Sequence, residues 1–267
     1  MSTALLICLL LGAFAGLAAG LLGVGGGLII VPVLAGLYAG QGFPQASIMQ
    51  LAVGTSLATI VVTSLSSMRS HHLRGAVLWP QVIQLSGGIL LGAWLGAAVA
   101  HGLNSRVLGI LFALFEFAVA AQMVWGRLPE AHRSVPGRWA NAGAGLVIGT
   151  VSAILGIGGG TLTVPWLVWH NVDIRQAVGT SAACGLPIAL SGTLGFVVAG
   201  WRVEGLPAGA TGYVYWPAVI AIILSSVLVA PVGARLAHTL PQAHLKKAFA
   251  LLLATLGVLM INRLSST

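Results

Sequence analysis

Hydropathy divides the chain into long apolar runs separated by short polar or glycine-rich connections. Runs of near-spanning length cover Ala4 to Leu22, Ala46 to Met68, Leu78 to His101, Val107 to Trp125, Val172 to Ala199, Tyr215 to Ala237 and Leu245 to Asn262. A helix of about 19 residues crosses roughly 28 Å, close to the apolar thickness of a bilayer. Two shorter runs, Leu28 to Ala39 and Thr161 to His170, each follow a triple glycine and reach at most about 18 Å as helix. Paired with the apolar segment before it, each gives a helical hairpin broken at glycine, over residues 4–39 and 140–170. Gly40 to Pro44 and Gly102 to Ser105 read as turns, Arg69 to Gly75 as a basic loop, and the polar stretch 127–138 as a linker.

The breaks are a repeat. Leu21-Leu22-Gly23-Val24-Gly25-Gly26-Gly27, followed by Pro32, returns as Ile154-Leu155-Gly156-Ile157-Gly158-Gly159-Gly160, followed by Pro165. Ala52-Val53-Gly54-Thr55-Ser56 returns as Ala177-Val178-Gly179-Thr180-Ser181, and Trp79-Pro80 as Trp216-Pro217. At that last spacing His101 and Phe112 meet His238 and Phe249. The duplication therefore covers nearly the whole chain, as residues 1–126 and 139–267 joined by the linker. Ala4 to Leu22 has its counterpart at Ala140 to Leu155 and no charged residues ahead of it, so it reads as structure rather than as a signal peptide.

Charge placement orients the repeat. If each hairpin returns to the side it entered, Arg69, Arg74, Arg127, Arg133, Arg138, Arg175, Arg235, Lys246 and Lys247 share one side, against Arg106, Arg202 and Arg263. A single crossing per broken segment would split the cations almost evenly. The hairpin assignment obeys the positive-inside rule, with both termini outside and the linker and basic loops cytoplasmic. The expected fold is all-α and polytopic, with two inverted-topology repeats, each a glycine-broken hairpin plus three transmembrane helices.

Composition agrees. The chain is 58% hydrophobic and 6% charged, with mean hydropathy +1.01, which excludes a soluble fold. The net charge of +8 and pI near 10.8 would suggest nucleic acid in a soluble domain, but here the cations lie between spans and meet lipid headgroups instead. Cys8 and Cys184 both sit in apolar runs, giving neither a disulfide framework nor a thiolate metal site.

Each consecutive glycine costs a helix roughly 1 kcal/mol relative to Ala, so the backbone opens at both breaks. Irregular backbone at membrane depth survives only where protein buries it or a wet cavity receives it. Inverted halves would bring Gly25, Gly26 and Gly27 near Gly158, Gly159 and Gly160, and the amides starting each following arm would face one cavity suited to an anion. The other reading is close helix packing through small residues. Gly54 and Gly179 allow backbone approach, and Thr55, Ser56, Thr180 and Ser181 offer hydroxyls to an oxyanion, unless these bond back to their own helices.

The paired Gly-x-Gly-Gly-Gly and Ala-Val-Gly-Thr-Ser segments resemble the TauE/SafE sulfite exporter family of membrane permeases, over the whole chain. That resemblance implies transport of a small sulfur-containing anion such as sulfite, thiosulfate or a short organosulfonate, with Gly25–Gly27, Gly158–Gly160, Gly54–Ser56 and Gly179–Ser181 at the site. Leu28 follows the first triple glycine and Thr161 the second, so only the second tip offers a hydroxyl there.

Glu116 is the sole acid deep in a span, and its repeat counterpart is Leu253. It reads as a proton-coupling carboxylate, a neutral hydrogen-bonded acid or one side of an interhelical pair. The His71-His72 pair has no acidic or Cys neighbour to complete a metal site. No nucleotide-binding glycine loop occurs, and one buried acid is too few for an enzyme. The expected function is a secondary transporter without cofactor, working by alternating access. A passive anion channel is the alternative, with a membrane assembly factor or enzyme behind it. The reading needs a bilayer and an anionic solute, no nucleic acid, and is compatible with a homo-oligomer and with a proton or sodium as coupling ion.

Overall fold

The computed structural model describes residues 2–22, 26–126, 137–236 and 242–265. Ten α-helices are formed among the described residues: α1 (Ser2–Leu22), α2 (Gly27–Gly40), α3 (Ile48–Leu73), α4 (Trp79–Gly102), α5 (Ser105–Trp125), α6 (Arg138–Leu155), α7 (Gly160–Trp169), α8 (Ile174–Gly200), α9 (Trp216–Leu236) and α10 (Gln242–Ser265). A short antiparallel pair, β1 (Ala210–Thr211) with β2 (Val214–Tyr215), folds back in the connection before α9. An all-helical solution follows from apolarity, because a helix satisfies its own backbone where no water can. Among the described residues α3 (with the preceding turn), α4, α5 and α8 are long and apolar enough to cross a bilayer. Asn104 and Asp173 cap α5 and α8, accepting from the amides of Val107 at 2.8 Å and Arg175 at 2.9 Å.

Element bounds agree with the hydropathy reading except at the basic loop. Helix α3 runs on through Arg69 to Leu73, because nothing in Arg69-Ser70-His71-His72-Leu73 breaks a helix. The chain turns only at Gly75, whose φ of +66° suits glycine. Residues 127–136 of the linker and His238 lie outside the described residues, and Arg138, at the linker's end, opens α6.

Helices are held at backbone distance by spaced glycines. On α4, Gly88, Gly92 and Gly96 face the carbonyls of Ala142, Leu146 and Thr150 on α6, with no room for a methyl group. Gly145 and Gly149 of α6 meet the carbonyls of Leu85 and Ile89 in return. On the other side Gly12 and Gly16 of α1 press on Ile222, Ser225 and Ser226 of α9. In lipid, apolar burial gives helices little reason to associate, so this close van der Waals fit has to supply it.

The registers also fix direction. Positions ascend together along both pairs, so α6 runs parallel to α4 and α1 parallel to α9. At one end of the bundle Gln50 Nε2 donates to Leu103 O at 2.7 Å, His101 Nδ1 meets the Tyr213 hydroxyl at 3.0 Å, and Tyr38 and Phe43 pack on Tyr215. At the other end Asn141 Nδ2 donates to Gln81 and Gln84 at 2.6 and 2.8 Å, and Trp166 Nε1 donates to Asn141 Oδ1 at 3.2 Å. The open end of the α1–α2 hairpin lies with the first group and that of α6–α7 with the second. The two hairpins enter the bundle from opposite ends.

Each half leans on the other. The helix opening one half packs on the fourth helix of the other (α1 on α9, α6 on α4), and α3 pairs with α8 as α5 does with α10. Gly88→Ala should lower the melting temperature of the purified protein in detergent by several degrees, since the new methyl meets α6 backbone. Gly87→Ala, one residue away with nothing within 4 Å, should leave it unchanged. Thermal unfolding of the two variants side by side is the check.

Candidate functional site

The second tip is built by left-handed glycines. Helix α6 ends at Leu155, and Gly156 turns the chain at φ +68°, its amide bonding back to Ala153 O at 3.3 Å and that of Ile157 to Ser152 O at 3.0 Å. Gly159 then starts α7 at φ +76°, and its carbonyl accepts from Leu162 and Thr163 at 3.1 and 2.8 Å. The amides of Gly160 and Thr161 stand ahead of those first bonds, at the positive end of the helix dipole. Six residues beyond Gly159, Pro165 brings no N–H to the ladder and releases the carbonyl of Thr161.

At the first tip Gly26 is right-handed at φ −71°, and its carbonyl accepts from Ile29 and Ile30, both at 3.0 Å. Pro32 stands at the same distance into α2 as Pro165 into α7 and releases Leu28 O in the same way. Gly25 lies outside the described residues.

The tips touch. A Cβ on Gly27 would run into the carbonyl of Gly156 and lie 3.0 Å from Ile157 Cα. Ser56 Oγ donates to that same Gly156 carbonyl at 2.8 Å, tying the second tip to α3. Gly158 lies 3.5 Å, measured from an added Cβ, from Ile60 of α3, and its carbonyl faces Gly185 of α8, near the middle of both long helices. The meeting point is thus midway along the bundle. Helix α2 is buried from Gly27 through Pro32, whereas α7 is half-exposed over most of its length.

Four of the residues that the sequence reading aims at the solute face the protein instead. Gly54 receives the carbonyl of Tyr213, and Gly179 that of Ala76, each from the connection before the fourth helix of the opposite half. Beside them Thr55 Oγ1 accepts from the amide of Tyr215, and Thr180 Oγ1 from that of Leu78, both at 3.0 Å. Tyr38 also donates to Thr55 Oγ1 at 3.3 Å. The Gly-Thr pair is a staple across the halves, formed twice in equivalent ways. Ser181 differs from Ser56: its hydroxyl is buried without a partner among the described residues.

Two residues outside the repeated motifs join the second tip. Ser152 and Thr163 are fully buried, their hydroxyls and that of Thr161 have no partner among the described residues, and an added Cβ on Gly159 would lie 3.4 Å from Thr163 Oγ1 and 3.6 Å from Ser152 Oγ. Their signal in the sequence was the mismatch between the repeats, where the first half has Ala19 and Ile30.

Glu116 is fully buried on α5, which packs chiefly on α10, and neither carboxyl oxygen has a partner among the described residues. His72 Nδ1 accepts from Trp79 Nε1 at 3.2 Å, and no group of three metal-ligating side chains occurs among the described residues.

Replacing Thr55 or Thr180 by Val should cost about 1–3 kcal/mol by stranding a buried amide, with Ser restoring most of it. Hydrogen exchange at Tyr215 or Leu78 should accelerate in the matching variant.

Comparison with known proteins shows the family. Residues 8–260 match the family model described as sulfite exporter TauE/SafE. A probable membrane transporter protein of Haemophilus influenzae is 37% identical over 97% of this chain and 98% of its own length. The probable membrane transporter proteins MJ0441 of Methanocaldococcus jannaschii and YdhB of Bacillus subtilis are each 24% identical, over 96% and 92% of this chain and 94% and 96% of their own lengths. No solved structure matches significantly. The doubled glycine motif, the apolar helices and the whole-length match lead to one conclusion: this multi-pass membrane protein belongs to the TauE/SafE sulfite exporter family of transporters.

Proposed function

We propose that the protein is a secondary transporter of a small sulfur-containing anion, sulfite, thiosulfate or a short organosulfonate, moved by alternating access around the two hairpin tips. The observation that carries this reading is the contact of Gly27 with Gly156 and Ile157, made midway along the bundle by broken helices that enter from opposite ends. Half-helix starts at such a point offer amides and dipole ends to an anion without a buried Lys or Arg. Gly26, Gly27, Gly158, Gly159, Gly160, Thr161 and Ser181 form the site in this reading, and Ser56 holds the second tip in place through the Gly156 carbonyl. The Gly-Thr staples hold the frame around it. The exchange of packing partners between the halves supports two inverted repeats, residues 1–126 and 139–267, and the cation distribution argues for termini outside and 127–138 cytoplasmic. Deep burial of α2 beside half-exposed α7 is the asymmetry expected of a carrier caught open to one side.

Proteoliposomes loaded with unlabelled anion should take up labelled sulfite, thiosulfate or methanesulfonate in exchange, with saturation, and chloride as control. Conductance without exchange would make the protein a channel. Gly26→Leu and Gly159→Leu should each abolish uptake while inserting normally. A side chain at Gly159 meets both a left-handed backbone and Ile188, and one at Gly26 meets Ile30 and Ala15.

A further inference from the structure

The two tips repeat in sequence motif but not in chemistry. Around the second stand Ser152, Thr161 and Thr163, and at the matching positions of the first stand Ala19, Leu28 and Ile30. All three hydroxyl oxygens of the second tip are buried and unpartnered among the described residues. Two of them flank Gly159, where α7 begins. A buried hydroxyl with no partner costs a protein stability, so three around one helix start have a use outside the folded chain's own bonding. Leu28 and Ile30 are buried at the opposing tip and present only hydrocarbon.

We infer that Ser152, Thr161 and Thr163 are specificity-determining residues that make the second tip the anion-receiving side, while the first tip closes the site with an apolar wall. This rests on the tips being the solute site. Hydroxyls and the amides of Gly160 and Thr161 would donate to oxygens gathered on one side of the solute. Across from the second tip, Ile188 of α8 reaches Gly159 and Ile60 of α3 reaches Gly158, and the first tip adds only hydrocarbon at Leu28 and Ile30, so an oxygen on that side would lose its hydration without a new donor. The site therefore selects an oxyanion with one oxygen-free face, as in sulfite or an alkylsulfonate, over sulfate, whose four oxygens cannot all find donors.

The test is binding of methanesulfonate, sulfite and sulfate to the purified full chain in detergent, with melting temperature measured on the same samples. The wild type should bind methanesulfonate and sulfite more tightly than sulfate. Ser152→Ala and Thr163→Val should each weaken methanesulfonate about ten-fold, the scale of one charge-assisted hydrogen bond. Their ligand-free melting temperatures should hold or rise, since an orphaned hydroxyl is removed. Unchanged affinity in both variants, or sulfate bound as tightly as methanesulfonate, would overturn the inference while leaving the tips as the site. A fall in ligand-free melting temperature in both variants would overturn it by showing that the hydroxyls serve the fold. Failure of the wild type to bind any of the three would remove the tip site itself, and this inference with it.

Discussion

The carbonyl of Gly156 is where the architecture converges. It belongs to the turn at which a membrane helix breaks, it accepts the hydroxyl of Ser56, and it lies against Gly27 of the opposing hairpin. A peptide group freed from its helix in hydrocarbon is expensive, and this one is tolerated because two other elements cover it. The broken helices can meet at mid-depth only because glycine stands at Gly27, where any side chain would strike that carbonyl.

Around that point the bundle is assembled by reciprocity. The glycine ridges join α1 to α9 and α4 to α6, and the Gly-Thr staples join α3 and α8 to the connections of the opposite half. Neither half forms a closed packing unit. A rigid-body movement of one half against the other would have to break both sets of contacts. Motions that keep α1 with α9 and α6 with α4 would preserve the glycine ridges, and so fit the interleaved packing better.

Much of the fold was legible in the sequence. Apolar run lengths gave the helices nearly to the residue, the triple glycines gave the breaks, and the cation distribution led to hairpins that return to their starting side. The continuation of α3 through Arg69 to Leu73 was missed because charge suggests a loop, whereas helix ends follow breakers such as Gly75. The site was legible in part. Glycine at Gly54 and hydroxyls at Thr55 and Thr180 look alike in sequence whether they meet a solute or the partner half, because both uses need close approach and an exposed polar atom. Ser152 and Thr163 fall where the repeats differ, opposite Ala19 and Ile30 of the first half, so the shared motif does not mark them.

The pairing of α1 with α9 bears on how the chain is made. During insertion α4 is already in the bilayer when α6 emerges, so their glycine faces can meet at once. Helix α1 enters before α2 to α8, yet the surface that Gly12 and Gly16 require is synthesised only with α9. Until then its small-residue stripe faces lipid or a stand-in partner, and the α1–α2 hairpin stays unfinished while the helices between are made. Biogenesis of this protein is thus lopsided in time although its architecture is balanced in space.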